Sequence, residues 1–183
     1  MALKSTIYKA NLSIADIDHG YYADHALTLA RHPSETDERM LMRVLAFALN
    51  VPADDRDGML EFGKGLSDTD EPDLWHRDLT GRIRHWVEVG QPDEKRLLRA
   101  AGRADQVTVY AYAASTPIWW SGVAGKIARA ANIRVWQVDA AQSQALAALA
   151  QRTMQLQVSV QDGTCWVGDG ETSVEVAPRR LEA

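Results

Sequence analysis

The chain has 183 residues, 46% of them hydrophobic and 25% charged, with a formal net charge of −5. That length suffices for one domain with a real hydrophobic core, and the negative balance argues against nucleic-acid binding over the whole surface, since neutralising phosphates needs Lys and Arg. A single cysteine, Cys165, excludes an internal disulfide framework and a cysteine-based zinc cluster.

In chain order, "STIYKANLSIADID" and "GYYADHALTLARH" alternate polar and apolar residues around Asp18-His19-Gly20, which predicts an N-terminal β-hairpin. "HPSETDERMLMRVLAFALN" reads as a helix with Ser34 as N-cap, Asp37 completing a capping-box-like pair, and a stop at Asn50 before Val51-Pro52. Three strands are expected next, over 59–65, 72–79 and 82–89, with Trp75 and Trp86 as a packed cross-strand pair. Pro92 then sits in the first turn of a helix over 93–103, whose Asp93 and Glu94 suit the N-terminal dipole.

"QVTVYAYAA" is β-branched and aromatic, with few polar positions, as a strand buried on both faces would be. A helix from Ser115 or Thr116 to about Ala131, the strand "IRVWQVD" and the helix "AAQSQALAALAQRT" follow. Of the adjacent Trp119 and Trp120, one is expected in the core and the other partly exposed, where an aromatic face could stack on a base. The chain closes in a β-meander with turns at Asp162-Gly163 and Asp169-Gly170, and Cys165 falls in one of its strands as a small buried residue. The β–α–β–α–β stretch implies right-handed parallel crossovers, and the three strands before it imply an antiparallel edge. The expectation is an α/β fold, one mixed sheet with helices on both faces, in a single domain over residues 1–183. The N-terminal "MALKSTIYKANLSIAD" lacks the apolar run of a secretory signal and no segment is apolar enough to span a bilayer, so a cytoplasmic location without membrane partners is expected.

Helix, three antiparallel strands, helix, strand is the core order of the restriction-endonuclease-like, or PD-(D/E)xK, nuclease fold, and the chain resembles that order between Glu35 and Ala114. Pro72-Asp73 and Glu88-Val89-Gly90 fall where its motif residues stand, fifteen positions apart. More narrowly, "IYKANLSIADIDHGYY", "ARHPSETDERMLMRVLAFAL", "WVEVGQPDEKRLLRA" and "VYAYAASTPIWW" are similar to the YaeQ family of small bacterial proteins over nearly the full length. The resemblance implies a nuclease-like core carrying an N-terminal hairpin and a C-terminal meander.

It also implies that Asp73 and Glu88 hold Mg²⁺ or Mn²⁺, a hard cation that prefers carboxylate oxygens, with Glu38 as a third acid from the first helix. Without a bound metal, two acids sharing a site repel, and one carboxyl should be raised. Gly90 stands where such nucleases keep a lysine. Lys95 in the following helix is the first candidate to replace it, Lys64 the second, and Gln91 could bind a water or a phosphate. Structural alternatives stand beside each assignment: Asp73 as a turn residue, Glu88 as a solvated strand end, Glu38 paired with Arg39 or Arg43.

Three functions stay open at this point. The first is a metal-dependent nuclease or phosphodiesterase acting on nucleic acid through a local basic groove in the Arg77–Arg103 segment. The second is a nuclease-fold protein that binds nucleic acid or a protein partner without cutting. The third is an unrelated mixed α/β module whose acids decorate the surface.

Overall fold

The structure, a computed structural model, describes residues 4–183. The chain is mixed α/β, with four α-helices and two mixed sheets among the described residues. It divides into two compact units, one formed by the chain up to Leu49 with Asp139–Pro178, the other by Asn50–Val138 with Arg179–Ala183. No helix is long and apolar enough to cross a membrane among the described residues.

In the first unit, β1 (Thr6–Asp16) and β2 (Tyr21–Arg31) form the expected hairpin. The meander strands β8 (Thr153–Gln161), β9 (Thr164–Gly168) and β10 (Ser173–Val176) join it because β8 pairs parallel with β1, Leu12 beside Leu156. Asp18 clasps the two tips together, accepting from the Asp162 and Gly163 amides at 2.7 and 2.9 Å. Alternation puts Leu12, Ile14, Leu156, Val158 and Val167 inside and Ser13, Gln157 and Trp166 outside. The hairpin and meander thus build a sheet of their own, which corrects the expectation of a single sheet. Alternation says which residues face a core but not which strands share hydrogen bonds.

Helix α1 (Asp37–Asn50) is buried from Met40 to Ala48, and α4 (Ala140–Ala147) packs by β10. α1 begins later than the sequence suggested. Thr36 Oγ1, not Ser34, accepts from the first-turn Arg39 amide at 3.1 Å, while Ser34 bonds the His32 ring at 2.6 Å. Cys165 is buried as expected, and burial pushes its thiol up to about 12, which leaves it unreactive.

The second unit carries β3 (Leu60–Phe62), β4 (Leu74–Arg77), β5 (Ile83–Val89), β6 (Ala104–Ala111), β7 (Ile133–Gln137) and β11 (Arg179–Leu181), in the order β11-β7-β6-β5-β4-β3. β3, β4 and β5 pair antiparallel, and β5, β6 and β7 parallel. The crossover helices are α2 (Glu94–Arg103) and α3 (Thr116–Ile127). Because β5, β6 and β7 advance in one direction, two right-handed crossovers put both helices on the same face. Leu97 and Ala100 of α2 and Val123 and Ile127 of α3 accordingly share one core cluster with Trp86, Val107, Val109 and Val135. Helices on both faces were expected, and within this unit the common direction of the crossovers gives the other result. The Trp75–Trp86 pair forms as expected, edge to face at 6.1 Å. Trp119 and Trp120 are both half-buried, and the fully exposed apolar residue beside them is Ile118.

The strand expected over 59–65 shrinks to Leu60–Phe62, after which Gly65–Ser67 forms a 3-10 turn. Asp73 immediately precedes β4 rather than lying in it. Pro92 precedes α2, whose cap is Asp93, its side chain accepting the Arg96 amide at 2.8 Å.

Candidate metal centre

The site begins with a register. Leu74 pairs with Val87 and Trp75 with Trp86, so the antiparallel ladder carried one residue further sets Asp73 beside Glu88. Asp73 is 1% exposed and Glu88 4%, and carboxylates are almost never this buried without specific partners. Asp73 Oδ2 accepts the Val89 amide at 2.8 Å. Glu88 Oε1 accepts two donors, the Trp86 indole Nε1 at 2.8 Å and the Arg96 Nε at 2.7 Å. Gly65 closes the other side. Its φ of +47° is a left-handed conformation, and a Cβ there would lie 2.6 Å from Asp73 Oδ1.

Burial, and after it the charge of Asp73, raises the Glu88 carboxyl to about 7, against the lowering effect of Arg96 and the Trp86 bond.

Arg96 ties this pair to the preceding loop. Besides Glu88, it donates from Nη1 to the Thr69 carbonyl at 2.6 Å and from Nη2 to the Glu71 carbonyl at 2.8 Å. Arg103 lies over the Trp86 ring at 5.1 Å and donates to the Asp70 carbonyl at 3.1 Å. The loop that delivers Asp73 is thus held from α2 by two guanidinium groups.

The model of the YaeQ protein family matches residues 1–178. The chain belongs to the YaeQ family. It is 45% identical over 177 residues to the uncharacterized protein YaeQ of Salmonella typhi and 44% identical to that of Escherichia coli (strain K12), covering 96% of this chain and 95% of each relative. Its fold matches the crystal structure of the YaeQ protein from Xanthomonas axonopodis pv. citri with a TM-score of 0.90 at 47% identity, over 98% of this chain and 99% of that one. The Pseudomonas syringae YaeQ structure gives 0.90 at 37% identity, over 98% and 97%.

Against this YaeQ fold the remaining candidates separate. Lys95 is exposed on α2, and the cation that reaches Glu88 is Arg96, one residue on. Helix geometry explains the difference. Arg96 stands four residues before the buried Ala100 and shares its edge, while Lys95 is about 200° round the helix from the buried Leu97. Lys64 is exposed, its amide donating to Glu71 Oε2 at 2.8 Å, and Gln91 is exposed, donating from Nε2 to Ser115 Oγ at 2.9 Å.

Glu38 lies in the first unit, where it accepts from Ser143 Oγ at 3.1 Å. Arg39 and Arg43, weighed above as its partners, instead hold Glu35. Gly90 has a φ of +112° while its amide donates to the Tyr110 carbonyl at 2.9 Å, so the backbone there suits glycine and would strain a lysine. The arginines of the expected basic groove are mostly engaged. Arg82 pairs with Asp105 at 2.6 Å, Arg84 with Asp78 at 3.1 Å and with Asp105, and Arg77 with Glu61 at 3.5 Å.

Proposed function

We propose that the chain is a nuclease-fold protein of the restriction-endonuclease-like kind, and that Asp73 and Glu88 form a divalent-metal site for phosphodiester hydrolysis in nucleic acid. The observation that carries this reading is the placement of two buried carboxylates in register on neighbouring strands, one of them raised by burial and then by the other's charge. The donor set fits a hard cation: carboxylate oxygens match Mg²⁺ or Mn²⁺, and a cation between them would relieve the repulsion that raises Glu88. Such an ion would supply positive charge to a phosphate and acidify an attacking water. The chain's own residues orient the pair. Val89 fixes Asp73 through its amide, Trp86 fixes Glu88 through its indole, and the Thr69–Glu71 loop is held over α2 by Arg96. The order β3, β4, β5, α2, β6 supports the same fold assignment.

A second reading, that the protein keeps this site without cutting, is favoured by one observation. Position 90 has no side chain to stabilise the developing charge, and its backbone conformation resists one. Mn²⁺-dependent cleavage of single- and double-stranded DNA and RNA by wild type and Asp73→Asn decides between them. Cleavage lost in the variant supports the hydrolytic reading. Mn²⁺ bound through Asp73 without turnover supports the second, and Mn²⁺ binding that survives Asp73→Asn unchanged removes the ligand role from both.

A further inference from the structure

Resting on the metal-site reading above, we infer that Arg96 is a built-in competitor for the acid pair, a guanidinium that must withdraw from Glu88 before a divalent cation binds. Its geometry is that of a three-point staple. Nε is on Glu88 Oε1, Nη1 on the Thr69 carbonyl and Nη2 on the Glu71 carbonyl, all at 2.6–2.8 Å. The Trp86 indole donates to the same Glu88 oxygen, so Oε1 already serves two donors. A cation engaging Glu88 through this oxygen displaces one of them. The indole is fixed in the β-sheet core, whereas Arg96 is half-exposed at a helix start and can swing toward solvent. Charge points the same way, since a guanidinium and a divalent ion on one carboxylate repel.

The two carbonyl bonds make the staple more than a counter-ion. They hold the loop that runs into Asp73, so Arg96 touches the approach to one acid and the side chain of the other. Release of Glu88 and movement of the Thr69–Glu71 loop are thereby coupled, and occupancy of the site is read out in the loop.

The sign of one measurement separates this role from a merely structural one. Truncating an arginine that only props up the site lowers metal affinity, whereas truncating a competitor raises it. Mn²⁺ binding is measured by electron paramagnetic resonance of the free ion for wild type, Arg96→Met, Arg96→Lys and Asp73→Asn, with circular dichroism confirming the fold of each. Arg96→Met is expected to bind about tenfold more tightly or better, the scale of one charge-assisted hydrogen bond no longer in competition. Arg96→Lys keeps the charge without the three-point geometry and is expected between it and wild type. If Arg96→Met does not fold, the lysine variant decides: tighter binding than wild type supports the competitor, equal or weaker binding overturns it. Equal Mn²⁺ affinity in wild type and Arg96→Met, lost in Asp73→Asn, overturns the competitor and leaves the metal site standing. Absence of Mn²⁺ binding in every variant overturns both.

Discussion

Each unit holds a buried acid met by arginine, and the two clusters behave differently. In the first unit Glu35, 4% exposed, is gripped by two arginines, Arg39 at 2.6 Å and the buried Arg43. Arg31 Nε adds a bond to the Glu35 carbonyl at 2.9 Å. These contacts join the end of β2 to the start of α1, and the grouping is an anchor. In the second unit Glu88 meets one arginine and the charge of another buried acid, and the net outcome is a carboxyl raised to about 7. Depth of burial is the same in both. What distinguishes an anchor from a candidate binding site is whether the neighbours of the buried charge offset it or add to it.

That comparison can be broken at several points. The largest effect is expected from Glu35→Gln, which takes a buried carboxylate away from both Arg39 and Arg43. Removing one member of a buried pair costs about 3–5 kcal/mol, so calorimetry should show a large fall in Tm, and a fall of only a few degrees would demote the anchor.

Gly90→Ala comes next. A residue held in a backbone conformation it rarely adopts costs about 1–3 kcal/mol, and chemical denaturation would register it. A neutral result would reopen position 90 to a lysine.

The third test is stability against pH. Glu88, raised from 4.5 to about 7, holds a proton in the folded state that the unfolded chain has lost, so its contribution to stability falls as pH rises through that window. His85, bonded to Thr108 Oγ1 at 2.7 Å and lowered from 6.5 to about 4 by burial and then by His76 and Arg134, does the reverse. Its contribution is complete above 6.5 and is lost as pH falls toward 4. The two slopes oppose each other in the wild type. Thermal midpoints across pH should therefore fall more steeply toward acid in Glu88→Gln, and more steeply toward neutral pH in His85→Gln. Identical profiles for all three proteins would contradict both assignments.

The smallest effect is the most local. Asp73→Asn removes one of the two causes that raise Glu88, so its carboxyl, followed by carbon-13 NMR, should titrate lower than in wild type. An unchanged titration would mean that burial alone sets it.

Much of this was legible in the residues. The hairpin turns and the strands bearing Trp75 and Trp86 follow from short-range patterns, whereas the pairing of Asp73 with Glu88 also depends on a register shift between His76 and Arg77 that no such pattern announces. Arg96 was readable too, standing four residues before Ala100 on the buried edge of α2, one position beyond the lysine that the missing side chain at Gly90 calls for. The Glu35 cluster was less accessible. Glu35 lies before α1 rather than inside it, and the choice of Arg39 and Arg43 for Glu35 over Glu38 depends on where the chain turns between β2 and α1.

The sequence by itself determined the family and the kinds of element and their order, because those properties follow from residue identity and from spacing along a few turns or strand steps. Only the tertiary structure decided that the hairpin and the distant meander share one sheet through β1 and β8, and that the loop before Asp73 is stapled to α2. Pairing between segments far apart in the chain is selected by the whole set of backbone hydrogen bonds and buried faces at once, and no local pattern encodes that sum.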